Sequence, residues 1–127
     1  MPHDPNIPAE FDVYTLVLLR RSPTAPQISE EALNELQARH LAYRADLGRQ
    51  GVLVANGPLA AQSDSSMRGL SIFACDLKEA ARLSDGDPSV QAGRLTYEMF
   101  EWWVAAGTLA FPHADRPVGD RRVMPED

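Results

Sequence analysis

The sequence predicts a small α+β domain in which four strands and two helices follow one another as βαββαβ. Three observations predict it. A β-branched and aromatic run lies near the N-terminus. A well-capped helix with an apolar stripe follows it. The second half then repeats the strand–helix–strand order.

The first strand is expected over Asp12 to Leu19, where alternation gives way to a solid run, Val13-Tyr14-Thr15-Leu16-Val17-Leu18-Leu19. Such a run implies cover on at least part of both faces. Pro23 and Pro26 make the next segment a loop. Ser29 is the expected N-cap of the first helix, with Glu30 and Glu31 at the positive end of its dipole. Leu33, Leu36, His40, Tyr43 and Leu47 recur at 3-4-3-4 spacing and define one face, and Gly48 or Gly51 ends the helix. A second strand begins at Val52 and closes at Asn56-Gly57-Pro58-Leu59, where proline denies the ladder a donor. Ala60 to Arg68 is a polar loop and Gly69 to Cys75 a third strand. Asp76 opens a short helix reaching about Leu83, and S-D-G-D-P breaks it. Val90 to Gly93 adds a turn, and Leu95 to Trp103 is the fourth strand. Val104 to Phe111 is expected as an added turn or helix. The expected organisation is therefore a flexible tail over 1–10, a domain over 11–103, and a C-terminal extension and tail over 104–127.

This order is the ferredoxin-like split arrangement, with a four-stranded antiparallel sheet and both helices on one face. Apolar residues on both sides of the first and last strands leave the other face in need of cover. The expected partner is a second copy of the chain, joined through the open sheet face.

Composition narrows the function classes. The 127 residues suit one domain, and a formal charge of −6 without any basic stripe argues against a nucleic-acid or anionic-membrane partner. The start lacks the pattern of a signal peptide, and no apolar stretch has the length of a membrane span. A single cysteine, Cys75, excludes an internal disulfide and suits a reducing cytoplasm. No metal-ligand spacing, phosphate-cradling loop or dinucleotide fingerprint is present, so neither metal nor cofactor is expected.

Two residues attract attention as chemistry. His40 occupies the centre of an apolar stripe. The commoner role there is a core histidine satisfied by one hydrogen bond; the sharper one is an imidazole facing a pocket, able to take and return a proton. Asp87, ahead of Pro88, commonly marks a turn. Alternatively it accepts from one ring nitrogen of His40, fixing the tautomer and leaving the other nitrogen as the base. Asp85 competes for that role. Asn56, Gly57 and Pro58 either end a strand or shape a pocket wall that a ligand approaches closely. Trp102 and Trp103 either line an apolar ligand site or belong to the core or an interface. Cys75 reads as packing.

Taken together, three blocks resemble the YCII-related (YciI-like) family: His40-Leu41 in the first helix, Gly51-Val52-Leu53-Val54-Ala55-Asn56-Gly57-Pro58-Leu59, and Asp85-Gly86-Asp87-Pro88 followed by Val90 and Ala92-Gly93. The resemblance covers roughly Asp12 to Trp103. It implies a ferredoxin-like, dimeric α/β barrel with His40 and Asp87, rather than Asp85, as the active pair. Members often carry an arginine three residues before the helix histidine. This chain has Gln37 there; if that arginine binds an anionic substrate, this chain lacks the contact unless Arg39 or Arg44 reaches round. The expected function is a cofactor-independent lyase or isomerase that moves a proton on a small organic acid, phenol or lactone, an expectation resting on fold-level analogy. The alternatives are a non-catalytic homodimer that binds a small molecule or another protein, and a structural subunit without a pocket.

Overall fold

The structure, a computed structural model, describes residues 4–60 and 63–111. The strands are β1 (Phe11–Arg21), β2 (Leu53–Pro58), β3 (Met67–Phe73) and β4 (Leu95–Ala105). The helices are α1 (Glu30–Arg49), α2 (Leu77–Asp85) and the single turn α3 (Pro88–Gln91). The strands form one antiparallel sheet in the order β2-β3-β1-β4. This is the ferredoxin-like α+β arrangement, with α3 inserted between α2 and β4. The chain positions expected as the C-terminal tail from Pro112 onward lie outside the described residues.

Local chemistry sets the ends of α1. The Ser29 hydroxyl accepts from the Ala32 amide, and Glu30 and Glu31 occupy the first turn. After Gln50, Gly51 takes a φ of 81°, a left-handed conformation that glycine adopts without a Cβ penalty. Asp76 caps α2 by accepting from Glu79.

Strand alternation assigns the two faces of the sheet. Thr15, Val17 and Leu19 of β1 and Phe73 of β3 are buried towards the helices. There they meet Leu47, Leu53, Ala80 and Leu83, with Tyr97 and Met99 of β4 packed alongside. Burying a side chain of this size contributes about 1.5–3 kcal/mol each, so this layer supplies most of the cohesion of the sheet and helices. Residues of the opposite phase, including Leu16, Leu18, Leu70, Ile72 and Phe100, lie on the other face in register. Leu70 and Phe100 are 40% and 49% exposed there.

Two departures from the expected elements have physical causes. First, β4 continues through Ala105 instead of giving way to a turn or helix after Trp103, because Phe11 and Asp12 pair with Ala105 and Val104. The Ala106 amide then donates to the Glu10 carbonyl, and Gly107, at φ 80°, donates to Asp12 Oδ2 at 2.8 Å. Second, the β1–β3 register shifts at Leu19/Arg20. Leu19 faces Gly69 and Arg20 faces Met67, so Arg68 is an extra residue in β3. A bulge of this kind bends the strand and re-aims a side chain.

Candidate active site

His40 projects from the middle of α1 and Asp87 from the loop that starts α3, 47 positions later. The two meet, with His40 Nδ1 2.8 Å from Asp87 Oδ1. The aspartate is held from every side. Its Oδ1 also accepts from the Ser89 amide at 2.9 Å, which makes Asp87 the N-cap of α3. Its Oδ2 accepts from Arg44 Nη1 at 3.1 Å. The side chain is fully buried. Burial pushes its pKa up, but the hydrogen bonds from His40 and Ser89, with the Arg44 charge, outweigh burial and hold it below the ordinary aspartate value. An ionised carboxylate only accepts hydrogen bonds, so a neutral His40 must carry its proton on Nδ1.

That assignment leaves Nε2 with its lone pair. Nε2 has no hydrogen-bond partner among the described residues, yet it is not sealed, because Ser84 Oγ is the sole buried side-chain nitrogen or oxygen among them that lacks a partner. The imidazole borders a cavity of about 560 Å³ between α1 and the end of the sheet where β1 finishes. Leu33, Leu36 and Leu41 form an apolar wall, and Gln37, Asn56, Gly57, Pro58 and Ser89 contribute polar or close-approach surface. A cavity of this size admits a single-ring compound.

Arg44 is the residue whose role the sequence reading did not find. It stands four positions after His40, on the same helical face, and is 3% exposed. Besides Asp87 it contacts Asn56 Oδ1 through Nε at 3.1 Å and the Ser71 hydroxyl through Nη2, and it lies 5.9 Å from the centre of the Phe73 ring. Burial lowers its pKa and Asp87 opposes that. It is a buried support beneath the aspartate and does not border the His40 cavity, so it does not replace an arginine at position 37. Arg39, the other candidate, does not border the cavity either. The His40–Arg44 spacing on the buried stripe was the available signal.

Gly86 lets Tyr43 approach the same loop. The Tyr43 hydroxyl donates to the Leu83 carbonyl at 2.7 Å and sits where a Cβ on residue 86 would be. Asp85 turns away and accepts from Tyr97 at 2.6 Å. Asn56, Gly57 and Pro58 border the cavity. Trp102 does not: it pairs with Tyr14 in the strand phase that faces away from the helices. Its expected place in the ligand site is therefore corrected, since the phase that puts Tyr97 and Met99 in the core puts residue 102 on the opposite face. Trp103 shares the helix-side phase but lies beyond the helices, 56% exposed and 5.5 Å from the Phe11 ring. Cys75 packs against the core, and burial pushes its thiol up. Among the described residues no helix is long and apolar enough to cross a membrane, and no group of three or more His, Cys, Asp or Glu is placed to hold a metal.

Comparison with known proteins adds a sequence match and two structural likenesses. The YCII-related domain family matches residues 13–103. A 5-chloro-2-hydroxyhydroquinone dehydrochlorinase (TftG) from Burkholderia phenoliruptrix, in complex with 2,5-dihydroxybenzoquinone, superimposes with a TM-score of 0.51 at 20% identity, covering 70% of this chain and 92% of that one. SnoaB, a cofactor-independent oxygenase from Streptomyces nogalater, gives a TM-score of 0.43 at 19% identity over 77% of this chain and 97% of its own. No curated protein matches the sequence.

Proposed function

The chain belongs to the YCII-related domain family, and from that premise we propose that it is a small cofactor-independent enzyme in which His40 moves a proton on a bound ring compound. The observation that carries the reading is the 2.8 Å contact from His40 Nδ1 to a buried Asp87, on a ring that borders the cavity and whose other nitrogen has no partner among the described residues. Nε2 takes a proton from an acidic O–H or C–H of the substrate. Asp87 holds the ring in the required tautomer and stabilises the imidazolium that forms. The proton is then returned to another atom, which is an isomerisation, or stays on His40 until a leaving group such as chloride has departed, which is an elimination. The fold shared with a dehydrochlorinase supports the second course.

The test is turnover of small hydroxylated aromatics, their chlorinated forms and unsaturated lactones, read as chloride release or as solvent deuterium entering substrate. His40→Ala should lower the rate by about 10²–10⁴-fold, the usual contribution of a positioned acid–base group. An identified substrate turned over at full rate by folded His40→Ala would overturn the proposal.

The same proposal places the enzyme in the reducing cytoplasm as a homodimer joined through the open sheet face. Support comes from Leu16, Leu18, Leu70, Ile72 and Phe100, an apolar row on the sheet face opposite the described helices. Sedimentation should give a dimer that Phe100→Glu converts to monomer. A monomeric wild type refutes it.

A further inference from the structure

Seven of the eight arginines among the described residues fall into two groups; the eighth, Arg39, neither pairs with a carboxylate there nor borders the cavity. Arg20, Arg44, Arg49 and Arg82 each pair with a carboxylate. Arg21, Arg68 and Arg94 pair with none among the described residues, and all three border the His40 cavity. Arg21 is the last residue of β1. Arg94 immediately precedes β4, whose first residue, Leu95, is the register partner of Arg21. Arg68 is the bulged residue of β3. Simple alternation from Leu70 and Ile72 would send it to the opposite face of the sheet, and the bulge is what brings it to the cavity. Among the described residues, no aspartate or glutamate borders the cavity. An acidic protein, with a net charge of −6, thus collects at one cavity three guanidinium groups that pair with no carboxylate among the described residues.

We propose that this cavity takes a small anionic ring compound, an aromatic or enolic acid whose carboxylate or phenolate is bound by Arg21, Arg68 and Arg94 while the ring lies against Leu33, Leu36 and Leu41. The inference deepens the proton-transfer reading and rests on it for the role of His40, but binding itself does not need the imidazole. Guanidinium forks suit planar carboxylates, and the leucines on α1 supply the apolar side that a ring requires. Arg94 also donates to the Pro26 carbonyl, which anchors it to the loop before α1 and leaves its remaining donors for a ligand. All three approach the cavity from the sheet end, across from Gln37 on the helix.

Calorimetric titration with salicylate and 2,5-dihydroxybenzoate, against the matched uncharged amides, tests this directly. Wild type should bind the acids at least about tenfold more tightly than the amides, with affinity falling as salt rises. Arg21→Gln and Arg68→Gln should each weaken acid binding roughly three- to tenfold and leave amide binding unchanged, as expected for lost hydrogen bonds to a charged group. Both side chains are exposed and unpaired among the described residues, so these variants should keep the wild-type melting temperature. Arg68→Glu should abolish acid binding. His40→Ala should retain it, which separates this inference from the catalytic one. Equal affinity for acids and amides, arginine variants that bind the acids as wild type does, or no acid binding at millimolar concentration would each overturn the proposal.

Discussion

Replacing Arg44 with methionine should destabilise the fold by about 3 kcal/mol at neutral pH, the lower end of the range for breaking a buried ion pair. The structure gives the reason for the lower end. Of the three partners that Arg44 loses, Asn56 and Ser71 still bond each other at 2.9 Å, so only Asp87 Oδ2 is left buried without a donor. Methionine is close in length to the arginine stem and refills the space over Phe73. With a urea slope of about 2 kcal/mol per molar, the midpoint should fall by about 1.5 M. That is a large share of a total stability of about 5–15 kcal/mol. The sign with pH is a further check. In wild type the Asp87 pKa is depressed, so its contribution is present above the ordinary aspartate value and lost below it. In Arg44→Met the carboxylate has lost its cation and protonates more readily, so the deficit should shrink as pH falls from 7 towards about 4. Arg44→Met with Asp87→Asn should cost less than the sum of the two single changes. A midpoint shift below about 0.5 M, or a deficit constant across that pH range, would refute the view of Arg44 as the support of the aspartate.

Three other outcomes are expected. Gly86→Ala should destabilise by about 1–3 kcal/mol in thermal or urea melts, because its Cβ would meet the Tyr43 hydroxyl and, at 3.2 Å, its Cζ, and overpacking at a buried contact costs that much; Tyr43→Phe in the same chain should recover part of the loss. Ser84→Ala should leave stability unchanged or raise it by about 1 kcal/mol, since its buried hydroxyl has no hydrogen-bond partner among the described residues and its removal ends a desolvation cost; a loss above that size in a chemical melt would mean the hydroxyl is satisfied. Asp64 titrates at about 2, held down first by Ser66 and then by Arg20. Because this folded-state pKa lies below the unfolded value, the melting temperature should fall between about pH 4 and pH 2, and Asp64→Asn should flatten that limb.

The fold was legible because its signals are local. The run from Val13 to Leu19 reads as a strand without any tertiary knowledge, and Ser29 and Asp76 mark helix starts through the bonds that their side chains make. The His40 stripe was likewise readable from periodicity. What escaped were features set by register. Trp102 looked like a pocket residue until the core fixed the phase of β4. Arg68 reaches the cavity through a one-residue bulge that hydrophobic alternation does not reveal. Arg44 was hidden differently: its charge argued for solvent, and only the meeting of α1 with the residue 87 turn supplies the buried anion that permits it inside.

The acid that bonds the imidazole also begins the shortest of the described helices, a four-residue turn started by its own side chain. One carboxylate therefore holds both the turn and the ring. When that turn frays, the ring on α1 is left without its guide even though the sheet and both longer helices stay intact. On the proposed mechanism, competence thereby becomes a property of a few residues' local equilibrium, and amide exchange at Ser89 would time how often that contact is lost while the molecule is still folded.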